Sequence, residues 1–219
     1  MFQNCRTAIN EQCDAHDRSA QMYIMYKGIV EDYFKKVIGL NLDGKVGENF
    51  LLELVKQWNN YTIFAMLLNR LFDYLDINYV KSNFLNPLGK QCQLEFKNRV
   101  IIGLEAELQG AIKDQITNDR NQQMINRDAL KTAIGVYVDL GKEGEQKPIR
   151  RDGRFFWQGT PNLDYYIAQF ETPFLAHSRN EFRAFAANWN GTHNCYQYLL
   201  EVDRAIKREE ENADFWLQA

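Results

Sequence analysis

The sequence predicts an all-α protein built from successive antiparallel helices, and three observations support this class. Only 4 prolines and 13 glycines occur in 219 residues, and the first proline is Pro87. Residues that break helices are therefore sparse over long stretches. Apolar residues recur at i, i+3, i+4 and i+7 through most of the chain. No sustained apolar–polar alternation with hairpin turns is present, so no strand pair is expected.

Seven helices are predicted along the chain. They cover residues 18–40, 48–60, 62–82, 90–117, 126–141, 162–190 and 194–217. Pro173 lies inside the sixth helix and predicts a kink or an early start there, and Gly141 is a suitable residue to end the fifth. The apolar residues expected to face inward from the last helix are Leu199, Val202, Ile206 and Trp216.

Residues 142–161 have no helical stripe and contain two prolines and three glycines. We interpret this segment as an exposed linker or insertion. Its aromatic triplet FFW at 155–157 either folds back onto the body or forms a small contact patch. Its basic cluster is interpreted as part of a solvated loop and consists of Arg150, Arg151 and Arg154.

Composition and charge exclude several classes of function. The formal net charge is -3, which argues against nucleic acid as the main partner because phosphate binding requires a basic excess. No apolar stretch approaches the ~20 residues of a membrane helix, and the N-terminus lacks the pattern of a secretion signal. The cysteines show neither a CxxC pair nor zinc spacing, so reduced thiols and a cytoplasmic and/or nuclear location are expected. They are Cys5, Cys13, Cys92 and Cys195.

Catalytic motifs are not found in the sequence. HExxH, GxSxG and P-loop patterns do not occur among its residues. His177 and Ser178 are adjacent and would point to different helix faces, so they do not form a base–nucleophile pair. The acidic runs at 31–32 and 209–211 are interpreted as solvated faces or helix-end ion pairs rather than metal ligands. We therefore expect no catalytic residue, no cofactor and no metal.

Residues 51–80, LLELVKQWNNYTIFAMLLNRLFDYLDINYV, resemble the cullin signature. In that signature a helix ending in ELVKxW is followed by one reading LxRxFxYLDRxYV. Residues 125–141, INRDALKTAIGVYVDLG, resemble the cullin segment IDRxLLKxxxxxFVEIG. Residues 163–182 and 198–217 resemble segments of the second cullin repeat in the same order. The resemblance extends from about Met22 to the end and is closest to cullins of F-box-type ubiquitin ligases.

The resemblance implies a non-catalytic scaffold. Cullins are elongated, and their N-terminal half stacks three helical repeats of five helices each. The first repeat docks a BTB/POZ-fold adaptor, which carries an F-box or similar substrate receptor. The C-terminal half binds a RING protein, and the assembly holds substrate near a conjugating enzyme. The implied domains are 1–141 as the first repeat with its first helix missing or altered, 142–161 as the linker or insertion, and 162–219 as the start of the second repeat.

Adaptor contacts in the family come from the second and fifth helices of the first repeat. The residues that the resemblance assigns to adaptor binding here are Phe2, Cys5, Arg70, Tyr74, Asp76 and Tyr79. For Tyr79 both an adaptor contact and plain packing are open. The sequence departs from the family at its start, where an LYTxVYNxC-like anchor is expected. MFQNCRTAINEQC takes its place, and the anchor tyrosines fall on Gln3 and Thr7.

Three functions are compatible with these residues. The first is the N-terminal scaffold region of a cullin-RING ubiquitin ligase, which would meet a RING protein only if a C-terminal half exists outside this chain. The second is a truncated or degenerate module that competes with ligase assembly. A helical-repeat enzyme or transport factor is the third. A chain that stops inside the second repeat is expected to expose apolar surface near its end, at Phe215 and Trp216.

Overall fold

The computed structural model describes residues 2–16, 18–151 and 154–217. The chain forms two compact units. Unit 1 comprises residues 1–45, 53–105 and 142–161, and unit 2 comprises residues 46–52, 106–141 and 162–219. Each unit combines segments that are distant in the sequence, so its core depends on contacts between remote residues.

Unit 1 is built from helices α1 to α6 and a β-hairpin. Several helices continue through π-helical turns, in which one extra residue is accommodated per turn. The elements are α1 (Phe2–His16), α2 (Ser19–Tyr33) with its π turn Phe34–Gly39, α3 (Leu40–Leu42), α4 (Gly47–Leu71), α5 (Asp73–Leu75) with Asp76–Val80, α6 (Leu88–Phe96) with Lys97–Ile101, β1 (Glu143–Arg151) and β2 (Arg154–Thr160).

Unit 2 is entirely helical in its described residues. It contains the first residues of α4 and five further helices. These helices are α7 (Glu105–Arg120), α8 (Arg127–Gly141), α9 (Asp164–Tyr166) with its π turn Ile167–Glu171, α10 (Thr172–Thr192) and α11 (Cys195–Trp216). Together with unit 1 they confirm the all-α class predicted from the apolar periodicity.

The predicted helices 48–60 and 62–82 are one helix up to Leu71, so the predicted break near residue 61 is wrong. Tyr61 is fully buried, with its ring centroid 4.8 Å from that of Phe96. The Thr62 hydroxyl donates to the Trp58 carbonyl 2.9 Å away, which is compatible with helix. The break comes instead at Phe72, where φ is -106° and ψ is 17°.

The predicted helix 90–117 is interrupted, in contrast, at residues 102–104. At Gly103 an added Cβ would lie 2.7 Å from the Arg99 carbonyl oxygen. Real side chains do not tolerate that distance, so this position needs glycine. From the sequence Gly103 was expected only to weaken the helix, whereas the structure leaves no room for a side chain there.

Pro173 lies in the first turn of α10. Proline has no N–H, so the carbonyl of Gln169, four residues earlier, loses its usual helical donor. The side chain of Gln109 supplies one, since its Nε2 donates to that carbonyl oxygen over 3.1 Å. The π turn Ile167–Glu171 precedes this site. The proline is thus accommodated by a helix irregularity and one substitute hydrogen bond.

Residues 142–161 contain a hairpin, and the expectation of no strand pair is wrong. β1 and β2 are antiparallel, with Ile149 opposite Phe156 and Arg151 opposite Arg154. The pairing is irregular between Glu143 and Lys147. The sequence does contain an indication of this hairpin, the Asp-Gly pair at residues 152–153. This pair is favoured in two-residue hairpin turns. The side chains of the aromatic triplet and of the basic cluster lie outside the described residues.

The core of unit 1 is an aromatic cluster whose rings are contributed by two helices and a π turn. Trp58 lies edge-on to Phe96 with centroids 4.8 Å apart, and Phe34 lies 5.6 Å from Tyr61. Edge-to-face pairs of this kind add about 0.5–1.5 kcal/mol each beyond the burial of their area.

The predicted inward face of the last helix is confirmed for Trp216 and wrong for Leu199 and Ile206. Leu199 is 60% exposed and Ile206 is 54% exposed, whereas Trp216 is only 1% exposed. Phe215 is half-buried and lies beneath Lys131, whose Nζ is 5.4 Å from the ring centroid. The expectation that Trp216 forms an exposed apolar edge is therefore wrong. The exposed apolar surface lies instead on the face of α11 that carries Leu199 and Ile206.

Candidate functional site

Helix α1 lies beside α5 in unit 1. The Arg6 guanidinium binds both carboxylate oxygens of Asp73, with its Nε 3.2 Å from Oδ1. Such two-point pairs fix orientation as well as distance. Cys5, next to Arg6, is exposed. The side chain of Phe2 lies outside the described residues, so its predicted role stays a prediction.

Tyr79 and Asp76 are half-buried and contact other helices of unit 1. The Tyr79 ring lies 5.9 Å from that of Tyr23 on α2. Asp76 accepts a hydrogen bond from the backbone N–H of Leu88 over 2.9 Å, at the start of α6. Burial raises the pKa of the Tyr23 phenol, and Tyr79 and Asp76 raise it further. Asp76 thus holds the start of α6 whether or not it contacts an adaptor. Tyr79 packs against Tyr23 in the same unit.

Arg70 and Tyr74 offer more accessible surface. Arg70 is exposed in the last turn of α4, and Tyr74 is half-buried in α5. The structure adds Ile77, three residues beyond Tyr74 and 66% exposed, and Ile24 on α2, 68% exposed. The sequence analysis missed both isoleucines. The signal for Ile77 was its place in the motif, where the family pattern has arginine and this chain has an apolar side chain.

The accessible residues near α1 and α5 suit binding to another protein. Among the residues with described positions, no group of three or more His, Cys, Asp or Glu side chains is placed to hold a metal ion. Over the same ranges no helix is both long enough and apolar enough to cross a membrane. The residues around α5 include the exposed Ile77 and the charged pair of Arg6 and Asp73. Apolar area near charged groups is the usual make-up of a protein–protein contact.

Unit 2 contains a buried charge network that the sequence analysis did not predict. Arg120 is buried and binds the carboxylates of Glu181 and Glu209, and its Nη2 donates to the Ser178 hydroxyl over 2.8 Å. Its guanidinium lies 4.9 Å from the centre of the Phe182 ring. Glu209 is therefore not a solvated group, because it forms an ion pair with a buried cation at the end of α7.

His177 belongs to the edge of this network. Its Nε2 lies 3.3 Å from the Thr117 hydroxyl and 3.3 Å from the Glu181 carboxylate. The neighbouring Ser178 hydroxyl faces Arg120 instead. The two side chains thus have different partners, in agreement with the expectation that they do not form a base–nucleophile pair.

The succession of packed helices in the two units defines an α-helical protein. A family model, the cullin alpha solenoid domain, matches residues 1–219. The chain belongs to the cullin family. The resemblance read from residues 51–80 and 125–141 is thereby confirmed, although the matches do not show which type of cullin is most similar.

Several curated proteins share this similarity. Putative cullin-like protein 2 of Arabidopsis thaliana is 26% identical over 219 residues, which are 97% of this chain and 53% of that protein. Cullin-2 of Arabidopsis thaliana is 28% identical over 204 residues, 93% of this chain and 25% of that protein. Cell division control protein 53 of Saccharomyces cerevisiae is 29% identical over 189 residues, 83% of this chain and 22% of that protein.

The chain spans about half the length of the first of these relatives and about a quarter of the other two. Cullins are non-catalytic scaffold subunits of ubiquitin ligases. Membership in the family therefore supports the role of a scaffold subunit and not that of an enzyme.

Proposed function

We propose that this chain is the N-terminal scaffold region of a cullin-RING ubiquitin ligase and docks a BTB/POZ-fold adaptor that carries an F-box-type substrate receptor. The observation that carries the proposal is the match of the cullin alpha solenoid domain to the whole chain. The Arg6–Asp73 pair supports it further, because it holds α1 beside α5 and so combines the two helices expected to bind an adaptor.

The contact surface in this proposal is the exposed side of α1, α4 and α5. Cys5 and Arg70 contribute accessible groups, and Tyr74 with Ile77 contributes apolar area. Hot spots at protein interfaces are enriched in tyrosine and arginine and lie near the centre of the contact. We expect Tyr79 to contribute less to adaptor binding, since its ring already packs against Tyr23.

Binding to purified BTB/POZ-fold adaptors, measured by calorimetry with the whole chain, tests the proposal. We expect Ile77→Asp to weaken binding at least tenfold, about 1.4 kcal/mol. Leu40→Asp is the matched control, because Leu40 is also an exposed apolar residue of unit 1, at 70%, but lies on α3. Failure of the unaltered chain to bind any adaptor would overturn the proposal.

The role of Tyr79 needs a separate comparison, because Tyr79→Ala also removes packing. Tyr23→Ala removes the same ring contact from the other side. If Tyr79 touches the adaptor, Tyr79→Ala weakens adaptor binding more than Tyr23→Ala does, at similar losses of thermal stability. Equal effects on binding would assign Tyr79 to packing alone.

We also propose an alternative in which the chain competes with ligase assembly and has no ligase activity. The observation that favours it lies in α1, where Gln3 and Thr7 replace the anchor tyrosines and both are exposed. The Thr7 hydroxyl bonds to the Gln3 carbonyl in its own helix, 3.0 Å away. Addition of the chain to a reconstituted cullin-RING ligase should then slow substrate ubiquitination, and an unchanged rate would exclude competition.

A further inference from the structure

The β-hairpin of unit 1 has a sheet edge that is open to a further strand. In the described part of the chain the sheet consists of β1 and β2 alone. β1 is the strand that packs against α6, so β2 carries the edge that is left without a neighbouring strand. A two-stranded hairpin is marginally stable by itself and gains from a third strand or from packing on a helix. The outer edge of β2 is therefore the place where a third strand would add.

The register of the hairpin shows which backbone groups face that edge. In an antiparallel ladder, residues opposite each other alternate between pairs that exchange two hydrogen bonds and pairs that exchange none. Pro148 lies opposite Trp157 and has no N–H to exchange, so this pair is of the second kind. The N–H and C=O groups of Trp157 therefore point away from β1, and by alternation those of Phe155 do the same.

The two edges of the hairpin differ in their ability to pair. At Pro148 the outer edge of β1 lacks a donor, and proline is one of the residues by which proteins prevent pairing at an exposed edge. β2 contains no proline between its ends, Arg154 and Thr160, so its outward N–H groups can all donate. A strand added to β2 would form a regular ladder. Backbone hydrogen bonds of this type provide affinity for an extended peptide.

The charge around the hairpin favours an acidic strand. Residues 88–101, which contain α6, and residues 142–161 together carry eight Lys and Arg against four Asp and Glu, although the whole chain has a net charge of -3. Arg151 lies opposite Arg154 in the ladder, and like charges in opposite positions destabilise a strand pair. An acidic residue at this end of the hairpin would offset that repulsion.

Two lysines of α6 and its π turn add to the positive charge. Burial lowers the pKa of Lys90, and the charge of Glu143 on β1 opposes this effect. Burial also lowers the pKa of Lys97, and repulsion from Lys90 lowers it further. The protonated form of both lysines would be stabilised by an anionic neighbour. The helix beside β1 thus favours the same kind of partner as the hairpin.

We propose that the outer edge of β2 binds an extended acidic segment of a partner protein, which adds a third strand and places Asp or Glu near Arg151 and Arg154. A second copy of this chain fits less well, because two surfaces with the same basic excess would meet. Nucleic acid also fits less well, since its phosphates cannot donate hydrogen bonds to the outward C=O groups of β2. The inference concerns the hairpin and does not rest on adaptor binding by α1, α4 and α5.

Ten-residue peptides labelled with fluorescein test the proposal by anisotropy with the intact chain. The first alternates valine and threonine and has two aspartates at each end. The second has lysines in place of the aspartates. The third has the sequence of the first but carries N-methyl groups on its interior amides, so it cannot donate to the C=O groups of β2. We expect the first peptide to bind at least tenfold more tightly than either of the others.

Variants of the hairpin connect that binding to β2. Trp157→Pro and Trp157→Ala remove the same ring, but only the proline also removes the outward N–H. Trp157→Pro should therefore bind the aspartate peptide at least tenfold more weakly than Trp157→Ala does. Arg151→Glu combined with Arg154→Glu should shift the preference to the lysine peptide, a gain that loss of the hairpin cannot produce. Arg204→Glu, on an exposed arginine of α11, should leave binding within about twofold.

Four results would overturn the proposal. The first is binding of the aspartate peptide that is no tighter than that of the lysine or the N-methylated peptide. The second is equal affinity of Trp157→Pro and Trp157→Ala for the aspartate peptide. The third is tighter binding of a labelled single-stranded RNA, lost in the double arginine variant, because the surface would then bind phosphates. The fourth is a dimer in sedimentation velocity that Trp157→Pro dissociates, because the added strand would then be a second copy of β2.

Discussion

Cys92 lies in the interior of unit 1, fully buried, with its Sγ 2.9 Å from the Tyr26 hydroxyl. The same hydroxyl lies 2.8 Å from the Leu88 carbonyl oxygen. Burial raises the pKa of the Cys92 thiol to about 12, and hydrogen bonds from Tyr26 and Tyr61 offset only part of this effect. A thiol held in its protonated form is a poor nucleophile, so Cys92 contributes packing and not reactivity.

Site-resolved alkylation checks this assignment. In the native chain at about pH 8, iodoacetamide should modify the exposed Cys5 and Cys195 and leave Cys92 unmodified. Mass spectrometry of the digested protein measures each site separately. After unfolding in guanidinium, Cys92 should react at the same rate as the other two. Native labelling of Cys92 at the rate of Cys5 would contradict its burial.

Glu53, within the ELVKxW motif, binds two side chains. Its carboxylate accepts from Lys45 over 2.6 Å and from Gln57 over 2.7 Å. These hydrogen bonds, that from Lys45 first, lower the pKa of Glu53 from 4.5 to about 2. Because the folded pKa is the lower one, the stabilisation is complete above about pH 4.5 and is lost as the pH falls toward 2.

Glu53→Gln should therefore reduce the free energy of unfolding at pH 7 by about 1 kcal/mol, a value kept small by the partial exposure of Lys45. The difference from the unaltered chain should shrink as the pH falls from about 5 toward 2. Urea unfolding at several pH values measures it, with the exposed Glu48→Gln as the control. A difference that persists at the lowest pH would show that the ion pair is not its source.

At the scale of elements, Arg120 joins three helices of unit 2. It lies on α7, and its carboxylate partners are Glu181 on α10 and Glu209 on α11. Burial by itself would lower the pKa of Arg120, but hydrogen bonds and charge interactions with both glutamates outweigh it and raise the pKa. A buried cation is acceptable here because two anions and a hydroxyl satisfy its donors.

Arg120→Met is expected to destabilise the protein by about 3 kcal/mol, because two poorly solvated carboxylates lose their counter-charge. Replacing both Glu181 and Glu209 with glutamine in that variant should restore part of the loss. Arg204→Met is the control, since Arg204 forms an exposed pair with Glu201 worth less than about 1 kcal/mol. Equal unfolding midpoints for the two arginine variants would contradict the network.

The end of α8 depends on the absence of a side chain at Gly141. An added Cβ would lie 2.5 Å from the Asn162 carbonyl oxygen, so the two backbones approach closely within unit 2. Gly141→Ala is expected to lower the free energy of unfolding by about 1–3 kcal/mol. Gly110→Ala is the opposite case, because nothing lies within 4 Å of its added Cβ, and it should stabilise α7 by up to ~1 kcal/mol. Thermal unfolding of both variants checks the contrast.

At the scale of the whole molecule, the net charge of -3 leads to a prediction about nucleic acid. The chain should show no measurable binding to duplex DNA at about 0.15 M salt, since association with phosphates requires a basic excess. Anisotropy with a labelled duplex measures this. Micromolar affinity that falls steeply with salt, and is lost when Arg150, Arg151 and Arg154 become alanine, would contradict the prediction.

Much of the fold follows from local sequence alone. The stripes that predict the helices also predict the core, and motif residues such as Leu54, Trp58 and Phe72 are buried. The order of the cullin-like segments was sufficient to predict the family. These features can be predicted from the sequence because the helical period of 3.6 residues depends only on residues that are near one another in the chain. The adaptor-contact residues, which come from resemblance, stay a prediction.

The tertiary structure alone decided which apolar stripes are covered and which charges are buried. Ile206 and Trp216 belong to the same helix, yet one is 54% exposed and the other 1%. Arg120 and Glu209 are 89 residues apart in the chain and form one buried pair. Periodicity shows that a face is apolar, but whether it is buried depends on elements that pack against it from remote parts of the sequence.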